Sequence, residues 1–200
     1  MTTRVNSPLS PEYAAVLVER RANLRKTCAK ILKPGASFVW EIGSGHGHFL
    51  TAYAALHRET TCVGIDIIAE RIARAERKRH RAGLANLHFI QADADDFLAV
   101  LPEGARFSAL YILFPDPWPK RRHHKNRLIR PDFIGRIAAR AGQGARLYFR
   151  TDYEPYFTEA RSVIAANPSW PLSEESWPFE SPTVFQSRAR ARHSLVAIAP

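Results

Sequence analysis

The sequence predicts an α/β fold in which a mostly parallel, doubly wound sheet carries helices on its faces. Two observations support this: short apolar segments alternate with helical patterns, and the first apolar segment runs directly into a glycine-rich turn. Such alternation is typical of βαβ units, whose strands are parallel. A length of 200 residues suits one domain over residues 1–200 with a full hydrophobic core.

The first half of the chain predicts a helix followed by three strands with helices between them. Pro11 near its start and Pro34-Gly35 after its end delimit the first helix, within an N-terminal helical extension over residues 1–34. The predicted elements are a helix over 11–32, a strand over 37–42, a helix over 47–56, a strand over 61–67, a helix over 70–82 and a strand over 87–92.

The second half continues the alternation and then changes character. A long irregular stretch rich in Pro, Ser and Trp precedes the last apolar segment, with no helix directly before that segment. We therefore expect the last strand to be antiparallel, since a parallel neighbour needs a crossover connection. The predicted elements are a strand over 107–114, a helix over 131–141, a strand over 146–150, a helix over 156–166 and a strand over 195–198.

The composition favours a polyanionic partner. Lys and Arg number 29 against 19 Asp and Glu, which gives a formal net charge of +10. A basic domain of this kind favours nucleic acid first and an anionic membrane surface second. The N-terminus lacks the apolar core of a signal peptide, and no segment approaches the roughly 18 apolar residues of a membrane span. We expect a cytoplasmic protein with no membrane contact.

The two cysteines, Cys28 and Cys62, are too few for a disulfide framework, and no metal-ligand spacing occurs. His46 and His48 have no third ligand at metal spacing, so we predict no metal site. The basic stripe on the 70–82 helix is interpreted as a solvated outer face. Trp118 is expected near a base, whereas the remaining tryptophans, Trp40, Trp170 and Trp177, are expected to be packing residues.

The turn after the first strand has the sequence Glu41-Ile-Gly43-Ser-Gly45-His-Gly47. Glycines after a strand let the backbone approach a ligand, and the next helix offers free N–H groups. The spacing is G-x-G-x-G, whereas dinucleotide sites use G-x-G-x-x-G. The carboxylate of Glu41 would complement the ammonium and sulfonium of S-adenosylmethionine and would repel a pyrophosphate. The turn therefore favours a Rossmann-like S-adenosylmethionine site over an NAD site.

Acids also follow the second and third strands. Asp66 lies about twenty residues beyond the glycines, where an acid meets a ribose diol in nucleotide-binding sheets. Asp93-Ala94 follows the third strand, where a carboxylate can accept a hydrogen bond from an adenine amino group. The alternative for Asp93 is a helix N-cap, a role for which Asp95 and Asp96 compete.

The segment after the fourth strand, Phe114-Pro-Asp116-Pro-Trp118-Pro, contains three prolines in five residues. Proline fixes φ, and such stiffness suits a carboxylate that must be held in place. Because this loop follows a strand, Asp116 should lie at the same sheet edge as the glycine turn, facing the transferable methyl. A run of Lys, Arg and His follows and predicts phosphate binding. Its expected backbone-binding cations are Lys120, Arg121, Arg122, Lys125 and Arg127.

The stretch FPDPWPKRRHHKNRL over residues 114–128 resembles the signature of the tRNA (guanine-N7)-methyltransferase family, often called the TrmB family. EIGSGHG at 41–47 and TDYEPY at 151–156 extend the resemblance over about residues 37–190. The proline loop is specific to that family, while the glycine turn is shared with most class I methyltransferases. The resemblance implies methyl transfer from S-adenosylmethionine to N7 of a guanine in tRNA, in the variable loop at position 46.

The resemblance also implies roles for individual residues. It places cofactor acids at Glu41, Asp66 and Asp93, and the acid of the catalytic centre at Asp116. Lys120 and Asp152 match positions that the family uses for substrate. A substrate element Thr-x-Phe-Glu near the C-terminus of family members falls on Thr183, Phe185 and Gln186. The sequence departs from the family at Gln186, where an acid is usual, and at Ala189, where glycine is usual.

Three other functions compete with this one. A non-catalytic RNA-binding module of the same fold is favoured by the Gln186 departure and opposed by the retained acids. A methyltransferase acting on another nucleic acid or on a protein fits the charge and is opposed by the proline loop. An NAD-dependent reductase is opposed by the glycine spacing of this chain and by its length, which leaves no room for a second substrate domain. Monomer and homodimer both fit the sequence.

Overall fold

The computed structural model describes residues 11–180 and 192–200, with the backbone alone for 11–14. The described strands form one seven-stranded sheet, of order β3-β2-β1-β4-β5-β7-β6. They are β1 (Ser37–Ile42), β2 (Cys62–Asp66), β3 (Leu87–Gln91), β4 (Arg106–Leu113), β5 (Ala141–Thr151), β6 (Leu172–Ser173) and β7 (His193–Ile198). The helices are α1 (Pro11–Ile31), α2 (His48–Leu56), α3 (Ala69–Ala82), α4 (Ala94–Val100), α5 (Pro131–Ala138) and α6 (Glu154–Ala165), with a 3₁₀ helix at Arg121–Asn126.

The first five strands are parallel, and β7 runs antiparallel to both β5 and β6. This confirms the predicted mostly parallel sheet with an antiparallel last strand. The chain builds outward from β1 to β3 and then returns to the other side of β1 as β4. Connections therefore leave β1 and β4 in opposite directions, which opens a crevice at the carboxyl ends of these strands.

The sheet buries both faces, because helices cover each of them. In β1, Phe38 and Trp40 belong to one apolar cluster and Val39 to the other, as the period of two requires. Trp40 and Phe97 pack on the first face, with ring centroids 5.1 Å apart. Tyr111 packs against the α2 ring of Phe49 on the second face, at 4.7 Å. A strand buried on both sides must be apolar throughout, which explains the continuous apolar segments of the sequence.

The N-terminal helix shares the first apolar cluster. Leu24, Cys28 and Leu32 are buried there, and Arg21 donates a 2.7 Å hydrogen bond to Asp96 of α4. Burial raises the pKa of the Cys28 thiol to about 11, which leaves it unreactive near neutrality. None of the helices in the described residues combines the length and apolar character needed to cross a membrane.

Two element boundaries differ from the sequence predictions by three residues or more. The helix predicted over 131–141 ends at Ala138, and β5 begins at Ala141, well before the predicted residue 146. Ala141 pairs with Phe107 of β4, and Gly144 has a φ of 67° that a helix does not allow. The sequence analysis also did not predict α4, a helix of seven residues that begins with acids. Short helices of this kind are fixed by packing, here of Phe97 in the core, rather than by periodicity.

We expect Trp170→Ala to destabilise the protein by about 3–5 kcal/mol, because it removes a large core side chain and leaves a cavity. Trp170 is fully buried, stacks on Phe107 with ring centroids 6.2 Å apart, and donates its indole N–H to the Ile134 carbonyl at 3.3 Å. Urea unfolding measures the change. An effect below about 1 kcal/mol would contradict the packing described for this residue.

Candidate active site

Five acidic residues lie at the carboxyl ends of the five parallel strands. Sheet order places them in the sequence Asp93, Asp66, Glu41, Asp116 and Asp152, on or just after β3, β2, β1, β4 and β5. Neighbouring strands lie roughly 4.8 Å apart, so these carboxylates share one edge of the sheet. The topology therefore brings together residues that are spread over more than a hundred positions of the sequence.

The glycine turn is held by the end of β2 beside it. The amides of Gly43 and Ser44 both donate to the Ile65 carbonyl, at 2.8 and 2.9 Å. The amide of Gly45 donates to Asp66 at 3.0 Å, and the other Asp66 oxygen accepts from Ile68 at 2.9 Å. Oδ1 keeps a further lone pair for another donor, whereas Arg71 Nη1 lies 3.5 Å from Oδ2. Asp66 thus fixes the turn in addition to the ribose contact expected of it.

The glycines of the turn serve two purposes. Gly47 has a φ of 70°, and a Cβ there would lie 2.5 Å from Phe89 Cζ and 2.8 Å from Ala75 Cβ. Gly47 therefore allows α2 and α3 to pack closely on β3. Gly43 has a φ of 73°, and a Cβ there would meet nothing within 4 Å. The space beside Gly43 is open, as the approach of a ligand requires.

Glu41 is buried, with 3% of its surface exposed, one residue before the end of β1. Its Oε2 has no hydrogen-bond partner among the described residues. Burial, and after it the nearby charge of Asp66, raises the pKa of this carboxyl to about 8, against the opposing effect of a hydrogen bond from the Leu50 backbone. A buried acid with a free oxygen is costly unless a cation pairs with it. This position therefore suits a ligand that carries positive charge.

Asp93 acts as the N-cap of α4. Its Oδ1 accepts from the Asp95 amide at 2.8 Å, so the N-cap alternative of the sequence analysis is confirmed for Asp93 rather than for Asp95 or Asp96. Asp96 is instead paired with Arg21. The side chain of Asp93 is exposed and Ala94 beside it is buried, which leaves the second oxygen of Asp93 available to a ligand.

The proline loop is strained at two bulky residues. Phe114 has a φ of 50° and Trp118 a φ of 43°, a left-handed conformation that costs of order 1–3 kcal/mol for a residue with a side chain. Trp118 lies 5.7 Å from the ring of His123, and Asp116 between the two strained residues is exposed. Such strain persists only where neighbouring contacts determine the conformation, and it is concentrated at functional sites.

Arg127 supplies one of these contacts. It was predicted to bind a nucleic-acid backbone, and that prediction is wrong: the residue is 1% exposed. Its Nε donates to the Pro117 carbonyl at 2.8 Å, its Nη1 pairs with Glu159, and its guanidinium lies 4.8 Å from the centre of the Tyr156 ring. No local pattern indicates this role, since Arg127 ends a run of exposed cations and its acidic and aromatic partners lie about thirty residues away in α6.

The other cations of this run are available to a partner. Lys120, Arg121, Arg122 and Lys125 are exposed on the 3₁₀ helix and the residue before it. Within the described part of the chain, none of the four forms an ion pair. Free cations beside a rigid acidic loop are consistent with the predicted phosphate contacts.

Similarity to known proteins identifies the family of this chain. Residues 35–192 match the family model described as "Putative methyltransferase". Curated tRNA (guanine-N(7)-)-methyltransferases are 35% identical over 162 residues in Nitrosomonas eutropha (79% of this chain, 69% of that protein) and 36% identical over 171 residues in Treponema pallidum strain Nichols (82% and 67%). The chain belongs to this family. Another member, from Caulobacter vibrioides strain NA1000, is 36% identical over 146 residues, which are 72% of this chain and 64% of that protein.

Solved structures show the same fold. A methyltransferase from Pyrococcus furiosus superposes with a TM-score of 0.59 at 13% identity, covering 91% of this chain and 82% of that one. TrmN from Thermus thermophilus superposes with a TM-score of 0.61 at 16% identity, covering 90% of this chain and 48% of that one. These structures confirm the predicted fold, and the curated relatives confirm the family resemblance.

The remaining site predictions have different outcomes. Asp152 is exposed directly after β5, at the predicted edge. Thr183, Phe185 and Gln186 lie outside the described residues. No group of three metal-ligating side chains occurs in residues 11–180 and 192–200. The basic stripe on α3 was interpreted as a solvated outer face, but Arg71 departs from this. It lies 3.5 Å from Asp66 and so reaches the glycine turn.

We expect the contribution of Glu41 to the unfolding free energy of the ligand-free protein to fall as pH rises from about 4.5 towards 8, because Glu41 keeps its proton in the folded state over that range while the unfolded chain has lost it. Glu41→Gln should weaken this pH dependence. Urea unfolding at pH 5, 6.5 and 8 measures it, with the exposed Glu103→Gln as control. Parallel pH profiles for wild type and Glu41→Gln would contradict the buried, unpaired carboxyl.

Proposed function

We propose that this protein transfers a methyl group from S-adenosylmethionine to N7 of a guanine in tRNA. The observation that carries the proposal is the strained proline loop with Asp116, which follows β4, the strand that pairs with β1 and its glycine turn. The identity of 35–36% to curated tRNA (guanine-N(7)-)-methyltransferases supports it. We also propose that residues 1–200 act as one cytoplasmic domain, as a monomer or homodimer.

The residues at the sheet edge fit the cofactor. Glu41 offers an unpaired buried oxygen to its ammonium, and the space beside Gly43, with Gly45 and Gly47 shaping the turn, offers room for its methionine end. Asp66 would accept from the ribose hydroxyls, and Asp93 with Ala94 would meet the adenine. When bound, S-adenosylmethionine supplies an electrophilic methyl group on a positively charged sulfur.

Asp116 would act through its charge. Guanine N7 carries a lone pair and no proton, so attack on the methyl group requires no general base. The purine gains a positive charge as the bond forms, and a fixed carboxylate stabilises that charge. The strained loop, held by Arg127 at the Pro117 carbonyl, keeps Asp116 in place before the substrate arrives. The remaining rate enhancement comes from holding the guanine in line with the methyl group.

Substrate binding would use the exposed cations of the 3₁₀ helix region. Lys120, Arg121, Arg122 and Lys125 would contact tRNA phosphates, and Asp152 after β5 would contact the guanine. The family resemblance adds Thr183, Phe185 and Gln186 to this set. Arg127 is not part of it, because its guanidinium is buried under the proline loop.

The decisive experiment is a methylation assay with labelled S-adenosylmethionine and unmethylated bulk tRNA, followed by digestion and identification of the labelled nucleoside. Label in 7-methylguanosine establishes the function. Label in another nucleoside refutes the specificity. Salt-sensitive tRNA binding without label refutes catalysis and leaves an RNA-binding module.

We expect Asp116→Asn to lower kcat by about 10²–10³-fold, the scale for removing one electrostatic contact to a transition state. The Kd of S-adenosylmethionine should change less than about twofold, since the carboxylate acts on the purine. Single-turnover rates and calorimetry measure the two effects. Asp132→Asn on the surface of α5 is the control. Equal losses in rate and cofactor affinity would show that Asp116 holds the cofactor instead.

We expect tRNA affinity to fall steeply with salt and the slope to depend on the exposed cations. Arg121→Gln and Lys125→Gln should each reduce the slope of log K against log[salt] by about one, because each removes one phosphate contact. Filter binding between 50 and 300 mM salt measures it. Arg77→Gln on the exposed face of α3 is the control. If Arg77→Gln reduces the slope as much as Arg121→Gln does, tRNA binds elsewhere.

A further inference from the structure

A row of β5 side chains fastens residues 175–180, here called the C-terminal strap, onto the sheet. Arg146, Tyr148 and Arg150 alternate along β5 and so share one face. Arg146 binds both oxygens of Glu175, at 2.8 and 3.0 Å. The ring of Tyr148 lies 5.4 Å from that of Trp177. These contacts attach the start and the middle of the strap to β5, and Arg150 attaches its end at Glu180.

The attachment at the end of the strap joins a buried arginine of β5 to a glutamate of the strap. The side chain of Arg150 is 7% exposed. Its Nη1 and Nη2 donate to the two oxygens of Glu180, at 2.9 and 2.7 Å. Its Nε donates to the Ser194 hydroxyl of β7 at 2.8 Å, and its guanidinium lies 3.8 Å from the centre of the Trp177 ring. A planar fork that pairs and stacks at once requires arginine rather than lysine.

The backbone of the same residue holds the proline loop. The Arg150 carbonyl accepts a hydrogen bond from the Phe114 amide at 2.8 Å. Phe114 is the first strained residue of the loop, with a φ of 50°, and Asp116 lies two positions later. Asp152 lies two positions after Arg150. Glu180 in turn lies 3.8 Å from Arg192 beside β7. One residue thus links the loop, the strap and β7.

We propose that Arg150 is a positioning residue for methyl transfer, which holds the proline loop in its strained conformation by anchoring the end of β5. This inference rests on the proposed function. The guanidinium fixes the end of β5 through Glu180, Trp177 and Ser194, and the fixed Arg150 carbonyl then keeps Phe114 and Asp116 in place. A displacement of about 1 Å at a reacting group costs up to about 100-fold in rate, so loosening this anchor should reduce turnover without removing any group that contacts the substrate.

Arg146 provides a matched control. It lies on the same strand and face and makes the same two-point contact with a glutamate of the strap. It differs in two respects: its side chain is 42% exposed, and it lies four residues, roughly 13 Å, further from the sheet edge. If both arginines only attached the strap, replacing either one would change the methylation rate equally. If Arg150 positions the loop, its replacement lowers the rate more than that of Arg146.

The first test compares Arg150→Met with Arg146→Met in the full-length protein. We expect Arg150→Met to lower kcat for tRNA methylation by about 10-fold or more, with the Kd of S-adenosylmethionine within about twofold of wild type. Arg146→Met should stay within about twofold in both. Equal losses in the two variants, or a loss of cofactor affinity that matches the loss of rate, would overturn the proposal.

The second test does not depend on activity. The Phe114 amide should exchange with deuterium at least about tenfold faster in ligand-free Arg150→Met than in wild type, and Arg146→Met should leave it unchanged. Unchanged exchange in Arg150→Met would overturn the proposal. If Arg150→Met fails to fold, Arg150→Lys, which keeps the charge but loses the fork, carries the same comparison. A wild-type protein that does not methylate tRNA refutes the proposed function, and the exchange rates still decide whether Arg150 holds the loop.

Discussion

The parallel pairing of β1 with β4 is the constraint on which the rest of the structure depends. Its register places Glu41 beside Tyr111 and Ile42 beside Ile112, so the two strands end together. The glycine turn leaves one strand and the proline loop leaves the other, in opposite directions. A crevice between them follows from the topology. Backbone pairing of the two strands brings both halves of the proposed site together, and side chains such as Asp66 and Arg127 then hold them.

The proline loop shows how strain is maintained at this crevice. Two bulky residues adopt left-handed backbone conformations, and two arginines oppose their relaxation. Arg127 holds the Pro117 carbonyl from beneath, and Arg150 holds the Phe114 amide through its own carbonyl. Both side chains are almost fully buried and pair with acids from elements far away in sequence. The arginine-rich composition therefore serves the rigidity of the site as well as the predicted attraction of tRNA.

The charge of the site is opposite in sign to the net charge of the protein. A protein of formal charge +10 concentrates five carboxylates at one sheet edge, and the most buried of them, Glu41, has a strongly raised pKa. A cationic cofactor would offset the cost of ionising that carboxyl, since pairing with an opposite charge lowers the pKa of an acid. Free cations on the neighbouring 3₁₀ helix face outward. The acids would thus bind the cofactor and the purine, while the cations would bind the phosphates.

The sequence by itself determined the fold class, the antiparallel last strand and the positions of four of the five acids, whereas Asp152 entered through the family resemblance. Glycine, proline and apolar periodicity act locally, so their consequences can be predicted without coordinates. Only the tertiary structure decided what each charged residue does. Arg121 and Arg127 belong to one cationic run, yet one is exposed and the other buried, because the partners of Arg127 come from α6. In the same way, the contacts of Arg150 with Trp177 and Glu180 join residues about thirty positions apart, which no local pattern encodes.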